Sequence, residues 1–149
     1  MIQEGDRLPP FRLLDDAGQV VTDADLATGT VVLYFYPRDD TPGCTREACD
    51  FRDGLADFRA RGVRVFGVSA DDVASHVAFR DKHALTFPLL ADEGHALCGA
   101  LGLWGEQVVQ GYRFTGIART TLILREGTVH RVFADVSVVG HADAVLAAC

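Results

Sequence analysis

Basic residues are the scarcer charge in this chain: 14 Lys and Arg stand against 21 Asp and Glu, a net charge of −7. That balance argues against a phosphate backbone or an anionic membrane as partner. No apolar run approaches the ~20 residues that cross a bilayer. The opening residues MIQEGD carry neither the basic nor the apolar region of a secretory signal. The expectation is a cytoplasmic protein whose thiols are kept reduced. Internal repeats, low-complexity tracts and linkers are also missing, and 149 residues suffice for one core, so a single domain over 1–149 is expected.

Cysteine is sparse as well. Cys44, Cys49, Cys98 and Cys149 are too few for a disulfide scaffold. No Cys-x-x-Cys or His-x-x-x-His pair occurs, and His76, His83, His95, His130 and His141 are scattered, so no metal is expected. The four thiols are then buried apolar residues or working redox groups.

What is present reads as an α/β chain. Phe11–Leu14 and Gln19–Thr22 flank Asp15–Gly18 as an N-terminal β-hairpin. Val31–Tyr36 (VVLYFY) is a continuous β-branched and aromatic run, the mark of a central strand covered on both faces. From Cys44 to Arg61 the apolar positions Cys44, Ala48, Phe51, Leu55 and Phe58 form one helical stripe, closed by Gly62. Strand Val63–Ser69, helix Asp72–His83, strand Phe87–Ala91 and helix Glu93–Leu101 follow. Thr120–Arg125 and Thr128–Ala134 make a second hairpin around Glu126-Gly127, and Ala142–Ala148 a closing helix. Gly102–Ala118 reads as loop. The βαβαβ order followed by ββα predicts one mixed sheet flanked by helices.

The chemistry is carried by Pro37–Phe51, PRDDTPGCTREACDF. Thr41 is a good N-cap and Pro42 suits the first helical position. Cys44 then sits in the first turn, where free N–H groups and the helix dipole favour thiolate over thiol. Cys49 is turned about 140° around the axis, and the two Cα atoms of an intact helix lie roughly 8–9 Å apart. A disulfide tolerates about 4.4–6.8 Å, so the two thiols meet only if the helix start unwinds.

That segment resembles the active-site run of the peroxiredoxins, Pro-x-x-x-Thr-x-x-Cys, here Pro37, Thr41 and Cys44. TPGCTREAC, with its second cysteine, resembles the peroxiredoxin Q branch, also called bacterioferritin comigratory proteins. FYPRDDTPGC, GVSADD, FPLLADE, LGLWGE and GIARTT extend the likeness over nearly the whole chain. Gln107–Phe114 (QVVQGYRF) departs from the Lys- and Met-rich version of the branch, which touches the substrate pocket and not the chemistry.

The resemblance implies a thioredoxin-like fold and a cysteine peroxidase without cofactor. It makes Cys44 the peroxidatic cysteine, with Pro37, Thr41 and Arg119 completing the site and the Gly43 and Cys44 N–H groups as further donors. Cys49 becomes the resolving cysteine, with Cys98 as the alternative. A hydroperoxide is the implied substrate, thioredoxin or a similar dithiol the reductant, and a monomer the implied state. Trp104 is expected to pack, and Cys149 to be an exposed terminal thiol. Three other readings remain at this point, one of them a structural metal module that would show stoichiometric zinc. A thiol–disulfide oxidoreductase would want the missing Cys-x-x-Cys. A non-enzymatic redox-responsive protein would react with peroxide no faster than a free thiol.

Overall fold

The computed structural model describes all 149 residues. Its chain order is β1 (Arg12–Asp15), β2 (Val20–Thr22), β3 (Thr30–Phe35), α1 (Pro42–Ala60), β4 (Val63–Ser69), α2 (Val73–His83), β5 (Leu89–Ala91), α3 (Ala96–Ala100), β6 (Trp104–Val109), β7 (Tyr112–Ile117), β8 (Thr120–Arg125), β9 (Thr128–Phe133) and α4 (His141–Ala148). Seven strands form one mixed sheet in the order β2-β1-β5-β4-β3-β8-β9. β3, β4 and β5 are parallel, as their helical crossovers require, and β1 and β8 join antiparallel.

The central run of β3 serves both faces, because successive side chains of a strand point opposite ways. Val31, Leu33 and Phe35 pack into one core with Leu97, Cys98 and Leu101. Val32, Tyr34 and Tyr36 pack into the other with the apolar stripe of α1 and with Val145 of α4. Every stripe residue from Cys44 to Phe58 is buried, and Gly62 takes positive φ just beyond the helix. No helix is long and apolar enough to cross a membrane.

Two expectations are corrected. Gly102–Ala118 is not loop: Trp104–Val109 and Tyr112–Ile117 pair as a separate two-stranded hairpin. Its strands leave Val108, Val109 and Tyr112 exposed, so they lack the alternation that marks a half-buried strand. Its turn is Gln110-Gly111, both with positive φ, and Gln is not a usual residue for that conformation. The helix expected over Glu93–Leu101 is a 3₁₀ turn at Glu93–His95 followed by the short α3. Gly94 and His95 have positive φ and break it.

Candidate active site

The buried end of β3 delivers the chain to Pro37, and α1 begins at Pro42. Thr41 holds the extended conformation of an N-cap (φ −89°, ψ 156°), with Pro42 next. Its side chain does not cap, contrary to expectation. The Thr41 hydroxyl donates instead to the Arg38 carbonyl at 3.0 Å. The first helical bond runs from the Thr45 N–H to the Thr41 carbonyl, and no protein group accepts from the Gly43 or Cys44 N–H. The first turn also contains no acidic residue. Two donors and the positive end of a 19-residue helix therefore stand open beside Cys44.

Arg119 comes from the short link between β7 and β8. Its Nη2 donates to Cys44 Sγ at 3.3 Å and its Nη1 to Glu47 Oε1 at 2.7 Å. A Cβ at position 43 would lie 3.2 Å from Arg119 Nη2, so glycine there admits the guanidinium. Glu47 lies one helical turn after Cys44 and is only 1% exposed. Burial pushes its carboxyl up to about 7, against the pull of Arg119. Its Oε2 has no hydrogen-bond partner. His141 Nε2 stands 4.0 Å from that oxygen and pairs at 2.7 Å with the Thr121 hydroxyl. Burial, helped by the Arg119 charge, lowers His141 to about 4, so it is neutral.

Cys44 opens onto a cleft of about 710 Å³. Pro37, Thr41 and Arg119 line it together with Trp104, Val109 and Phe114 of the β6–β7 hairpin. Trp104 also stacks on His95 with ring centroids 3.8 Å apart. A thiolate in such a place faces backbone donors, a cation and an apolar wall, which suits attack on a neutral molecule that turns anionic as it reacts.

The remaining cysteines lie elsewhere. Cys49 is half-buried on the intact α1, and neither it nor Cys44 is bonded. Cys98 is fully buried in the core on the opposite side of the sheet from Cys44. Burial, then the nearby Asp92 carboxylate, pushes its thiol far up. Cys149 is not an exposed terminal thiol: it is half-buried against the core that holds α1 and α4.

A second buried cluster sits just ahead of Thr41. Asp39 accepts from the Tyr36 hydroxyl at 2.6 Å, the Ser75 hydroxyl at 2.8 Å and His76 Nδ1 at 2.7 Å. His76 Nε2 lies 3.0 Å from the Leu90 carbonyl, so both ring nitrogens face acceptors, as in an imidazolium. Burial works to lower His76 but is outweighed by Asp39, and the net shift is upward. Asp39, Asp71 and His76 are close enough to group around a cation. Their polar atoms are already hydrogen-bonded to one another and to Ser69, Ser75 and Tyr36.

Sequence patterns missed Glu47, His141 and the Asp39–His76 pair. Glu47 did leave a trace: a carboxylate on the buried stripe of a helix, one turn from the cysteine.

A family model described as AhpC/TSA family matches residues 4–132. The chain is 38% identical to peroxiredoxin Bcp of Escherichia coli over 146 residues, 97% of this chain and 94% of that one. Among solved structures, a cysteine-to-serine mutant of Xylella fastidiosa PrxQ superposes with a TM-score of 0.92 at 33% identity, covering 99% of this chain and 95% of that one. The Xanthomonas campestris bacterioferritin comigratory protein, solved in trapped-intermediate and ligand complexes for its alkyl peroxide reduction activity, gives a TM-score of 0.86 at 40% identity, covering 96% of each chain.

Proposed function

This chain belongs to the AhpC/TSA family, in its peroxiredoxin Q branch, and on that premise we propose that its thiol-dependent peroxide reduction runs through Cys44 and is completed by Cys49. The Cys44 thiolate attacks one oxygen of the hydroperoxide. An S–O bond forms, the O–O bond breaks, and water or an alcohol leaves, giving a sulfenic acid. Negative charge grows on the peroxide oxygens during that step. The Gly43 and Cys44 N–H groups, the Arg119 guanidinium and the Thr41 hydroxyl, turned from Arg38, are the donors that meet it. Pro37 offers no N–H and shields the cleft from water. The apolar side of the cleft fits organic hydroperoxides as well as hydrogen peroxide.

The Cys49 thiol then attacks the sulfenic sulfur and water leaves, after the first turns of α1 unwind. A dithiol reductant of the thioredoxin kind returns both thiols. Support for Cys49 over Cys98 is positional. Cys49 shares the helix that must open, whereas Cys98 lies across the sheet with its thiol held protonated. An intramolecular pair needs no second chain, which favours a monomer. Recycling by a dithiol suits a reducing cytoplasm.

The observation that carries this reading is Arg119 against Cys44 Sγ at a helix start whose donors are free. The experiment is hydroperoxide consumption with a thioredoxin system. C49S should lose steady turnover yet keep the first oxidation, and C98S should keep both. Turnover lost in C98S and kept in C49S would reassign the resolving role.

A further inference from the structure

One guanidinium stands between two groups that each become anions. Cys44 and Glu47 are both 1% exposed, and Arg119 donates to each. If both were ionised, the buried site would carry a net negative charge, which burial disfavours. Groups coupled this closely titrate as a pair.

The other groups facing Glu47 do not compensate a second anion. Asp50, from α1, repels it. His141, from α4, is neutral, and the Thr121 hydroxyl of β8 is paired with His141. Tyr34, from β3, keeps a buried hydroxyl without a partner, and the Glu47 and Cys44 charges disfavour its ionisation after burial itself. Glu47 Oε2 is likewise bare. A neutral carboxyl still lets Oε1 accept from Arg119, and removes the charge that an unpartnered buried oxygen would otherwise hold.

We propose that Cys44 and Glu47 hold one proton between them across Arg119, that Glu47 carries it while Cys44 is the attacking thiolate, and that Glu47 gives it up when the sulfur is oxidised. The inference rests on the peroxidase role of Cys44. Its balance is simple. The thiolate takes the terminal oxygen of the hydroperoxide with its hydrogen, and the alkoxide (or hydroxide) that leaves takes up one proton. The sulfur has then lost its charge, so Arg119 pairs with Glu47 alone, whose carboxyl ionises and returns one proton. Arg119 faces one anion before the step and one after it. Disulfide formation with Cys49 releases water and changes no proton count. Glu47 is thus a positioning residue acting through Arg119. Its neutral form leaves the whole guanidinium charge to the thiolate and the splitting peroxide.

The test counts protons. Reduced protein in weak buffer near pH 6, below the Glu47 value of about 7, is mixed with one equivalent of hydrogen peroxide and a pH indicator. Wild type should exchange no net proton per Cys44 oxidised, and Glu47→Gln should take up one. One proton taken up by wild type means that Glu47 either held no proton or kept it when the sulfur was oxidised. No uptake by either protein means that the proton sat on Cys44 independently of Glu47. Either result overturns the proposal. An infrared difference spectrum of wild type gives a check that needs no variant: the carbonyl stretch of a protonated carboxyl must vanish on oxidation, and its persistence refutes the idea. Peroxide consumed with a proton taken up removes only the proton sharing. A protein that consumes no peroxide removes the peroxidase reading with it.

Discussion

The two long helices of this protein begin in opposite ways. At the start of α2 the Asp72 side chain accepts from the Ser75 N–H at 2.8 Å, and Ser75 and His76 are bonded to Asp39. At the start of α1 the Thr41 hydroxyl turns away and the Gly43 and Cys44 N–H groups stay free. The first arrangement fixes a helix. The second leaves its donors free, as the proposed thiolate and its substrate require, and leaves the first turn without a side-chain cap. Asp39 links the two, since it precedes Thr41 and is held by α2, so the start of α1 is tied to a fixed post.

That comparison can be broken at the post. His76→Phe leaves the Asp39 carboxylate buried without its cation and should cost about 3–5 kcal/mol in urea unfolding. A loss under about 1 kcal/mol would mean that the pair is incidental.

The charged groups behind each helix sharpen it further. Glu47 is raised in the folded state, so the stability it contributes is present below its unfolded value and is lost as pH rises towards about 7. The span corresponds to about 3 kcal/mol. His141 is lowered to about 4, so its contribution is present above its unfolded value and lost as pH falls through about 4. Between roughly pH 4.5 and 6.5 the proton that Glu47 keeps in the fold is the one that Cys44 gives up, so the pair adds no slope and wild-type stability should rise with pH through His141 alone. Glu47→Gln should make that rise steeper, and His141→Phe should make the profile nearly flat. Parallel profiles in the two variants would contradict these assignments.

The smallest effect concerns the caps themselves. Asp72→Ala should cost about 1 kcal/mol, as for a working N-cap. Thr41→Ala should cost less than about 0.5 kcal/mol yet slow peroxide reduction about tenfold or more. Thr41→Asp should do the reverse of a typical cap loss, firming α1 by about 0.5–1 kcal/mol while filling the donors that the peroxide needs. Equal stability losses at Thr41 and Asp72 would erase the contrast.

Much of this was legible in the chain. The run VVLYFY announced a strand covered on both sides, and β3 is buried on both faces. The stripe Cys44–Phe58 and Gly62 gave the body and end of α1, because period and glycine chemistry are local. What stayed hidden depends on neighbours distant in sequence. The Thr41 hydroxyl is the local exception: it bonds the Arg38 carbonyl, three residues back, instead of its own helix, a choice that cap statistics cannot foresee. Glu47 acquires its raised proton affinity from burial, which outweighs the pull of Arg119, 72 residues away. Cys149 follows the same logic, since α4 packing on α1 keeps the terminus from fraying free.

The most direct measurement uses a C49S/C98S/C149S protein, in which Cys44 is the sole thiol, mixed with one equivalent of hydroperoxide in stopped flow. The account predicts that one equivalent is consumed orders of magnitude faster than by free cysteine, with Cys44 trapped as the sulfenic acid. A rate no greater than that of free cysteine would contradict it.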